Sequence, residues 1–201
     1  MAPVAALAPG FAAPVTDAAH AFRAILHAMS RPGTIVTVGD GLEPPAPFGR
    51  ASAAVLLTLA DHDAPVWLHD DAGDDARRFL AFHTGAPLAP SRADAAFAWL
   101  PDPAAALPLD GWALGEPAYP DRSTTLLIEV PELESGGMAL AGPGIDGEAR
   151  LGAGLPEPFL AGRAALRPLH PLGLDLILTC GDRLAALPRT TRVRANEMEA
   201  A

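Results

Sequence analysis

The N-terminal part of the chain carries hydrophobic residues at helical spacing. Residues 16–33, TDAAHAFRAILHAMSRPG, repeat apolar side chains every three or four positions and end at a proline and a glycine, which predicts a first helix. Thr16 is the expected N-cap, and Asp17 is expected to oppose the helix dipole in the first turn. The predicted buried stripe of this helix consists of Phe22, Ile25, Leu26 and Met29.

The pattern then alternates between extended and helical segments. Short apolar runs predict strands at 33–38, 64–68, 95–100 and 124–130, and helical patterns predict helices at 50–61, 74–85 and 156–167. Five prolines between 100 and 122 predict a Pro-rich excursion loop. We expect one α/β domain over 1–201, with a loose leader at 1–12 and a loose tail at 192–201.

The C-terminal stretch 170–191, HPLGLDLILTCGDRLAALPRTT, holds two apolar runs separated by Gly181 and Asp182. The first run has no polar alternation, which is typical of a strand covered on both faces. The glycine and aspartate predict a hairpin turn between two strands. Helices that alternate with strands indicate an α/β fold with a layered, mixed β-sheet flanked by helices.

Composition narrows the classes of protein. The net charge is −10 and all 14 basic residues are arginines, so a nucleic-acid binder with a basic stripe is disfavoured and a lysine Schiff base is excluded. Cys180 is the single cysteine, which rules out an intrachain disulfide and suits a reducing compartment. No apolar run approaches the roughly 18 residues of a membrane helix. We therefore expect a cytoplasmic protein without a membrane or nucleic-acid partner.

Gly142, Gly144 and Gly147 form a literal G-x-G-x-x-G pattern after a strand-like segment. A dinucleotide-binding loop requires a helix that opens at the third glycine. Here glycines and a proline interrupt the following residues, and Pro143 removes a backbone donor from the loop. A tight turn is therefore favoured over an anion-binding loop.

Several polar groups are candidate anion-binding or metal-binding sites. His20, Arg23 and His27 share one face of the first helix; they could grip a phosphate or phosphonate, but a solvated or subunit-facing stripe is favoured. No distant ligands are identifiable for a metal site at Asp61 to Asp63. The acidic segment 69–75 lacks the ligand spacing that a hard-cation site needs. Solvated turns are therefore favoured over metal sites in both segments.

The C-terminal stretch brings His170, Asp175, Cys180, Arg189 and Thr190 into one hairpin. A thiol that ends an apolar strand is usually an inert packing residue. A carboxylate at the mouth of a buried strand needs a partner. Arg189 or His170 could pair with Asp175, and a structural ion pair is favoured over a functional polar site.

Five blocks of the sequence resemble one family. The segments DAAHAFRAILHAMSRPG, VLLTLADHDAPVWL, FHTGAPL, SGGMALAGPGI and the C-terminal stretch occur in the order found in the H-subunit family (PhnH) of the bacterial carbon–phosphorus lyase core complex. The resemblance spans roughly residues 11 to 193. The matched positions are Asp17, His20, Phe22, Arg23, Met29, Pro32, Gly33, Leu57, Asp61, His83, Gly142, Gly144, Pro171, Gly173, Asp175, Cys180, Pro188, Arg189, Thr190 and Thr191.

The resemblance implies a role in alkylphosphonate catabolism. It implies an accessory subunit that works with the G, I and J subunits while they form a ribose 1-phosphonate 5-triphosphate from ATP and an alkylphosphonate. It also implies a homodimer and a fold like that of PLP-dependent transferases without the cofactor. The family supplies no established catalytic residues, so none is assigned, and no cofactor or metal is expected.

Candidate ligand or interface residues follow from the patterns and the resemblance together. They are Asp17, His20, Arg23, Asp61, His83, Gly142, Gly144, Asp175, Arg189 and Thr190. An alternative function stays open. It is a free-standing phosphate- or phosphonate-binding enzyme that uses His20, Arg23, Asp175 and Arg189.

Overall fold

A computed structural model describes residues 7–194 of the chain. Its helices are α1 (Pro14–Ser30), α2 (Arg50–Leu59), α3 (Gly73–Thr84) and α4 (Glu157–Leu166). Its strands are β1 (Val36–Thr37), β2 (Val66–Leu68), β3 (Phe97–Leu100), β4 (Leu114–Glu116), β5 (Tyr119–Ser123), β6 (Thr125–Glu129), β7 (Glu134–Ala141), β8 (Ala149–Gly152), β9 (Asp175–Cys180), β10 (Arg183–Leu187) and β11 (Arg192–Arg194). The predicted mixed α/β architecture is confirmed.

The described strands form a main sheet of six strands in the order β1-β10-β9-β6-β3-β2. Strands β2, β3, β6 and β9 are parallel, whereas β10 runs antiparallel to β9 and β1. A smaller sheet has the order β11-β7-β8, and β4 pairs with β5 as a separate hairpin. The main sheet is therefore mixed, and the carboxyl ends of its four parallel strands lie along one edge.

Two hydrophobic clusters cover the two faces of the main sheet. Helices α1, α2 and α3 pack on the face that includes Trp99, Leu127 and Ile177. Helix α4 and the smaller sheet pack on the opposite face, which includes Leu126 and Ile128. Because both faces are covered, the central strands show no polar alternation, as predicted for β9.

The first helix departs from its prediction in two ways. It begins at Pro14, and its N-cap is Ala13, so Thr16 is not the cap. The Asp17 carboxylate instead accepts a hydrogen bond of 2.8 Å from the Ala13 backbone N–H. A proline suits the first turn because its missing N–H would have no helical acceptor there.

The buried stripe of α1 was predicted correctly only in part, because Ile25 is buried and Met29 packs against the core, whereas Phe22 and Leu26 do not. Ala21, Ile25 and Ala28 are buried, whereas Phe22 and Leu26 are 49% and 54% exposed. Helix α1 packs on the alanine-rich helix α2, where small side chains allow the two axes to approach closely. Close packing therefore selects the alanine face of α1 and leaves two large side chains at the surface.

The Pro-rich segment 100–122 is more ordered than an excursion loop. It contains two short 3-10 turns, Ala104–Ala106 and Leu109–Gly111, followed by β4 and most of β5. Pro120 lies within β5, but this strand pairs only with β4, so the missing proline N–H costs no central ladder bond.

The two ends of the described chain are packed rather than loose. Ala8 and Phe11 lie against the helical core cluster, and residues 192–194 form β11, which pairs with β7. Residues 1–6 of the predicted leader and 195–201 of the predicted tail lie outside the described residues. No described helix is long and apolar enough to cross a membrane.

Candidate functional site

Asp175 and Arg189 form a closely bonded ion pair at the amino end of β9. Arg189 Nη2 lies 2.5 Å from Asp175 Oδ2, Nε lies 3.2 Å from both carboxylate oxygens, and the Arg189 backbone N–H donates to Oδ1 at 2.8 Å. Both side chains are largely buried, at 16% and 17% exposure. The predicted structural ion pair is confirmed, with Arg189 rather than His170 as the partner.

Arg189 also fixes the β4–β5 hairpin to this end of the sheet. Its Nη2 donates to Ser123 Oγ at 2.6 Å, and its Nη1 donates to the Pro120 carbonyl at 2.6 Å. The remaining contact of Nη1 is the Pro171 carbonyl at 3.3 Å. Each nitrogen of the guanidinium therefore has a protein acceptor, and the charge is matched by Asp175.

A second arginine, Arg163, is buried beside the same pair. It lies on α4 and is 8% exposed, and its Nη2 donates to the carbonyls of Pro188 and Thr191 at 2.7 and 3.1 Å. Burial lowers the pKa of Arg163 to about 10, and the negative charge of Asp175 partly opposes this shift. Arg163 therefore stays charged at neutral pH and holds the turn that carries Arg189. The sequence signal for it was a basic residue between Phe159 and Leu166, on the apolar side of a helix.

The glycine pattern belongs to this region and forms a tight turn, as predicted. Gly142 and Gly144 lie in the turn between β7 and β8, and strand β8 rather than a helix follows Gly147. A Cβ atom on Gly144 would lie 2.1 Å from the Ser30 carbonyl oxygen, and one on Gly142 would lie 3.1 Å from the Thr190 carbonyl oxygen. Both glycines allow the close backbone approach of these segments.

We call this region the amino-end junction. It comprises the Asp175–Arg189 pair, Arg163 and the segments 30–33, 142–145, 171–173 and 188–191. A would-be Cβ on Gly173 would lie 3.3 Å from Arg189 Cβ. Thr190 is exposed at the rim of this junction, whereas Thr191 is 3% exposed. The junction joins four segments from three regions that are far apart in sequence.

The remaining candidates lie elsewhere. His20 and Asp17 line a cleft of about 240 Å³ together with Thr37 and Asp40, and Arg23 is exposed on the same helix. Thr37 pairs with Arg183 at the start of β10, whereas Arg189 follows the end of that strand. The two sets of residues are therefore at opposite ends of β10, and the fold does not bring the four residues of the alternative function into one site.

Asp61 and His83 have local structural contacts. Asp61 Oδ1 accepts a hydrogen bond from the Asp63 backbone N–H at 2.9 Å, which forms a turn between α2 and β2. His83 Nε2 lies 3.0 Å from the Ala8 carbonyl oxygen and holds residues 7–11 against α3. Within residues 7–194, no group of three or more His, Cys, Asp or Glu side chains could hold a metal ion.

The sequence interpretation missed Glu129, which lies at the opposite edge of the sheet. Glu129 is the last residue of β6, and its Oε1 accepts hydrogen bonds from Gly49 N, Ser52 Oγ and Trp99 Nε1. It borders an open cleft of about 540 Å³ at the carboxyl ends of β3 and β6. A glutamate directly after three buried apolar residues was the available signal, because such residues are seldom charged without a partner. We call this region the carboxyl-end cleft.

Comparison with known proteins gives a consistent assignment. The sequence model of a family described as "Bacterial phosphonate metabolism protein (PhnH)" matches residues 9–194. The chain is 44% identical over 186 residues to alpha-D-ribose 1-methylphosphonate 5-triphosphate synthase subunit PhnH of Rhizobium meliloti (strain 1021), covering 91% of this chain and 93% of that protein.

This chain belongs to the PhnH family. A second relative is the putative C-P lyase subunit protein HtxG of Stutzerimonas stutzeri. It is 32% identical over 177 residues, which cover 86% of this chain and 84% of that protein. The family resemblance predicted from the sequence blocks is therefore confirmed.

Three of the five blocks that resemble the PhnH family meet in the fold. The first block ends at Pro32 and Gly33, and the fourth block places Gly144 against Ser30 and Pro32. The last block supplies Asp175 and the 188–191 turn. Three blocks that are distant in sequence therefore meet at the amino-end junction, where the fourth block contacts both the first and the last.

Proposed function

We propose that this chain is an accessory subunit of a carbon–phosphorus lyase core complex. In this role it supports the formation of a ribose 1-phosphonate 5-triphosphate from ATP and an alkylphosphonate in alkylphosphonate catabolism. The observation that carries the proposal is the 44% identity to a synthase subunit over nearly the full length of both chains. The G, I and J subunits are the proposed partners, and the reaction's ATP substrate and the lone cysteine favour a cytoplasmic location.

The amino-end junction supports a role other than catalysis. Asp175 and Arg189 bond to each other and to neighbouring backbone groups, so neither is available as a general base or an anion ligand without breaking the fold. His20 and Arg23 lie at the other end of β10. These placements disfavour the alternative of a free-standing phosphate- or phosphonate-binding enzyme built from the four residues.

The surface of α1 supports a role in assembly. Val15, Phe22 and Leu26 follow one another at helical spacing and are 87%, 49% and 54% exposed. Large apolar side chains on one helix face are typical of a protein–protein interface. We propose that this face contributes to a homodimer or to a contact with another subunit.

We also propose that the fold is like that of PLP-dependent transferases, on the basis of the family resemblance alone. The chain contains no lysine, so it cannot form the internal aldimine of a PLP enzyme. We therefore propose that the chain uses a PLP-transferase-like fold, without the cofactor, for assembly with other subunits.

Co-purification tests the proposed function. The tagged chain is expressed with the G, I and J subunits of its source, and native mass spectrometry determines the masses of the eluted species. We expect an assembly that contains all four types of subunit. A lone dimer, despite good partner expression, would contradict the subunit assignment.

A thermal-shift assay on the isolated chain tests the alternative. A free-standing enzyme that binds methylphosphonate, phosphate or ATP is stabilised by mass action when the ligand is in excess. We expect no shift with any of these ligands. A saturable rise in melting temperature that is lost in Arg23→Ala, with unchanged folding of that variant, would favour the enzyme.

A further inference from the structure

Glu129 is held in place through one of its two carboxylate oxygens. Oε1 accepts from the Gly49 N–H at 3.2 Å, Ser52 Oγ at 2.5 Å and the Trp99 indole N–H at 3.2 Å. Ser52 and Trp99 are fully buried, and Gly49 is the N-cap of α2. A side chain on Gly49 would press against both carboxylate oxygens at 3.3 Å, so the glycine makes room for the carboxylate. Three separate segments therefore fix its position.

The second oxygen, Oε2, accepts no hydrogen bond from any residue in 7–194. The three donors are neutral, and no Arg or His side chain of the described chain forms an ion pair with Glu129. The carboxylate at the edge of the carboxyl-end cleft therefore has no cationic partner among residues 7–194. An oriented carboxylate with one open oxygen is an acceptor for a ligand rather than a completed internal contact.

The walls of the carboxyl-end cleft are mainly apolar. They include Pro101, Pro103, Pro131 and Pro156, together with Ala104 and Val130. The charged groups on the lining are Glu129 and the exposed Asp102, and no basic residue is among the described lining residues. This combination disfavours phosphate, phosphonate and nucleotide ligands, because two negative charges would repel them.

We propose that the carboxyl-end cleft binds an alkyl chain that ends in a guanidinium or ammonium group. The cationic head donates to Glu129 Oε2, and the alkyl stem lies along the proline walls. The cleft also lies at the carboxyl ends of parallel strands, where open α/β sheets commonly place their ligands. This site is separate from the amino-end junction and does not use any of the candidate residues predicted from the sequence.

Two sources carry this chemistry, an arginine or lysine side chain of another subunit and a free amine or guanidine. The subunit source rests on the proposed function, whereas the binding chemistry does not. We therefore test the chemistry first on the isolated chain, so that a failure of complex assembly and a failure of the cleft are distinguished.

The Trp99 indole N–H donates directly to Glu129 and is the reporter for this test. Butylguanidinium is titrated into the ¹⁵N-labelled full chain, and the three tryptophan indole resonances are followed by NMR. We expect a saturable shift of Trp99, with smaller changes at Trp67 and Trp112. Butylurea, which keeps the alkyl stem but has no charge, serves as the matched ligand and should bind about tenfold more weakly.

Glu129→Gln is the matched variant, because the amide oxygen can keep the three internal hydrogen bonds while an NH₂ group replaces Oε2. We expect this variant to fold and to lose about tenfold in butylguanidinium affinity. Glu132→Gln, at an exposed site near the cleft, should leave the affinity unchanged. Equal Trp99 shifts with butylguanidinium and butylurea, or unchanged affinity in Glu129→Gln, would overturn the proposal.

Co-purification of Glu129→Gln with the partner subunits then identifies the source. Weakened assembly, with wild-type folding, would assign the cation to a partner side chain. Assembly equal to wild type would assign it to a free amine or guanidine.

Discussion

Asp175 and Glu129 are carboxylates at opposite ends of the parallel strands, and their surroundings differ in kind. Asp175 begins β9 and receives a cationic guanidinium on both oxygens. Glu129 ends β6 and receives three neutral donors on a single oxygen. The first carboxylate is paired with a cation inside the chain, whereas the second has no cationic partner among residues 7–194 and lies beside a cleft.

This difference distinguishes a carboxylate that stabilises the fold from one that can bind a ligand. A buried ion pair whose hydrogen-bonding groups are all matched has no capacity for a substrate, although it looks like a catalytic cluster in the sequence. A carboxylate that is fixed on one side and open on the other is already oriented for binding. The predictions below test this distinction through stability, from the largest expected change to the smallest.

Arg189→Ala is expected to have the largest effect, because it leaves Asp175 charged, largely buried and without its partner. We expect a loss of about 3–5 kcal/mol in the free energy of unfolding, measured by urea denaturation. The control is Arg78→Ala, which removes a well-exposed pair with Asp75 on α3 and should cost about 0–1 kcal/mol. Similar losses in both variants would show that the junction pair is no more important than a surface pair.

Gly144→Ala tests the close approach that joins the family blocks at the amino-end junction. Gly144 has φ +81°, and a Cβ would lie 2.1 Å from the Ser30 carbonyl oxygen. We expect a loss of about 2–3 kcal/mol in the free energy of unfolding, since backbone strain and a steric clash act together.

Gly147→Ala is the matched control in the same turn. Gly147 has a similar φ of +74°, but no heavy atom lies within 4 Å of the Cβ position. Its cost should be about 1 kcal/mol, from the left-handed conformation alone. Equal losses in the two variants, compared by thermal denaturation, would attribute the effect to backbone conformation and would remove the role of the Ser30 contact.

Glu129→Ala applies the same test to the carboxyl-end cleft. It removes the acceptor of Ser52 and the Trp99 indole N–H, but Ser52 Oγ can still donate to the Gly49 carbonyl at 3.1 Å, and water can enter from the open cleft. We expect a loss of about 2 kcal/mol. Glu129→Gln should lose less than about 1 kcal/mol, because its amide oxygen keeps the acceptor position. Urea denaturation of both variants checks this order, and a loss in Glu129→Gln as large as that in Glu129→Ala would show that the charge, and not the acceptor position, stabilises the fold.

The sequence predicted the parts of this comparison that depend on local pattern. Apolar runs located the core strands, and the need of Asp175 for a partner indicated either Arg189 across one hairpin or His170. Glu129 was missed because its partners Gly49, Ser52 and Trp99 come from α2 and β3, which the sequence does not show to be adjacent. Phe22 and Leu26 were predicted as buried because they are apolar residues at helical spacing, but the alanine-rich surface of α2 selects small residues for the contact.

Substitutions at the N-terminus of α1 are expected to have the smallest effect on stability. Asp17 in this turn is a third type of carboxylate. Within residues 7–194, the Asp17 carboxylate forms no ion pair, and it accepts one hydrogen bond, from the Ala13 N–H at 2.8 Å. Asp17→Ala should therefore cost about 1 kcal/mol, as for the loss of a helix cap. Thr16→Ala should change stability by less than about 0.5 kcal/mol, because the Thr16 side chain is exposed and makes no cap bond. Thermal denaturation of the two variants shows which residue stabilises the start of α1. A larger loss of stability in Thr16→Ala would support Thr16 as the cap, as predicted from the sequence.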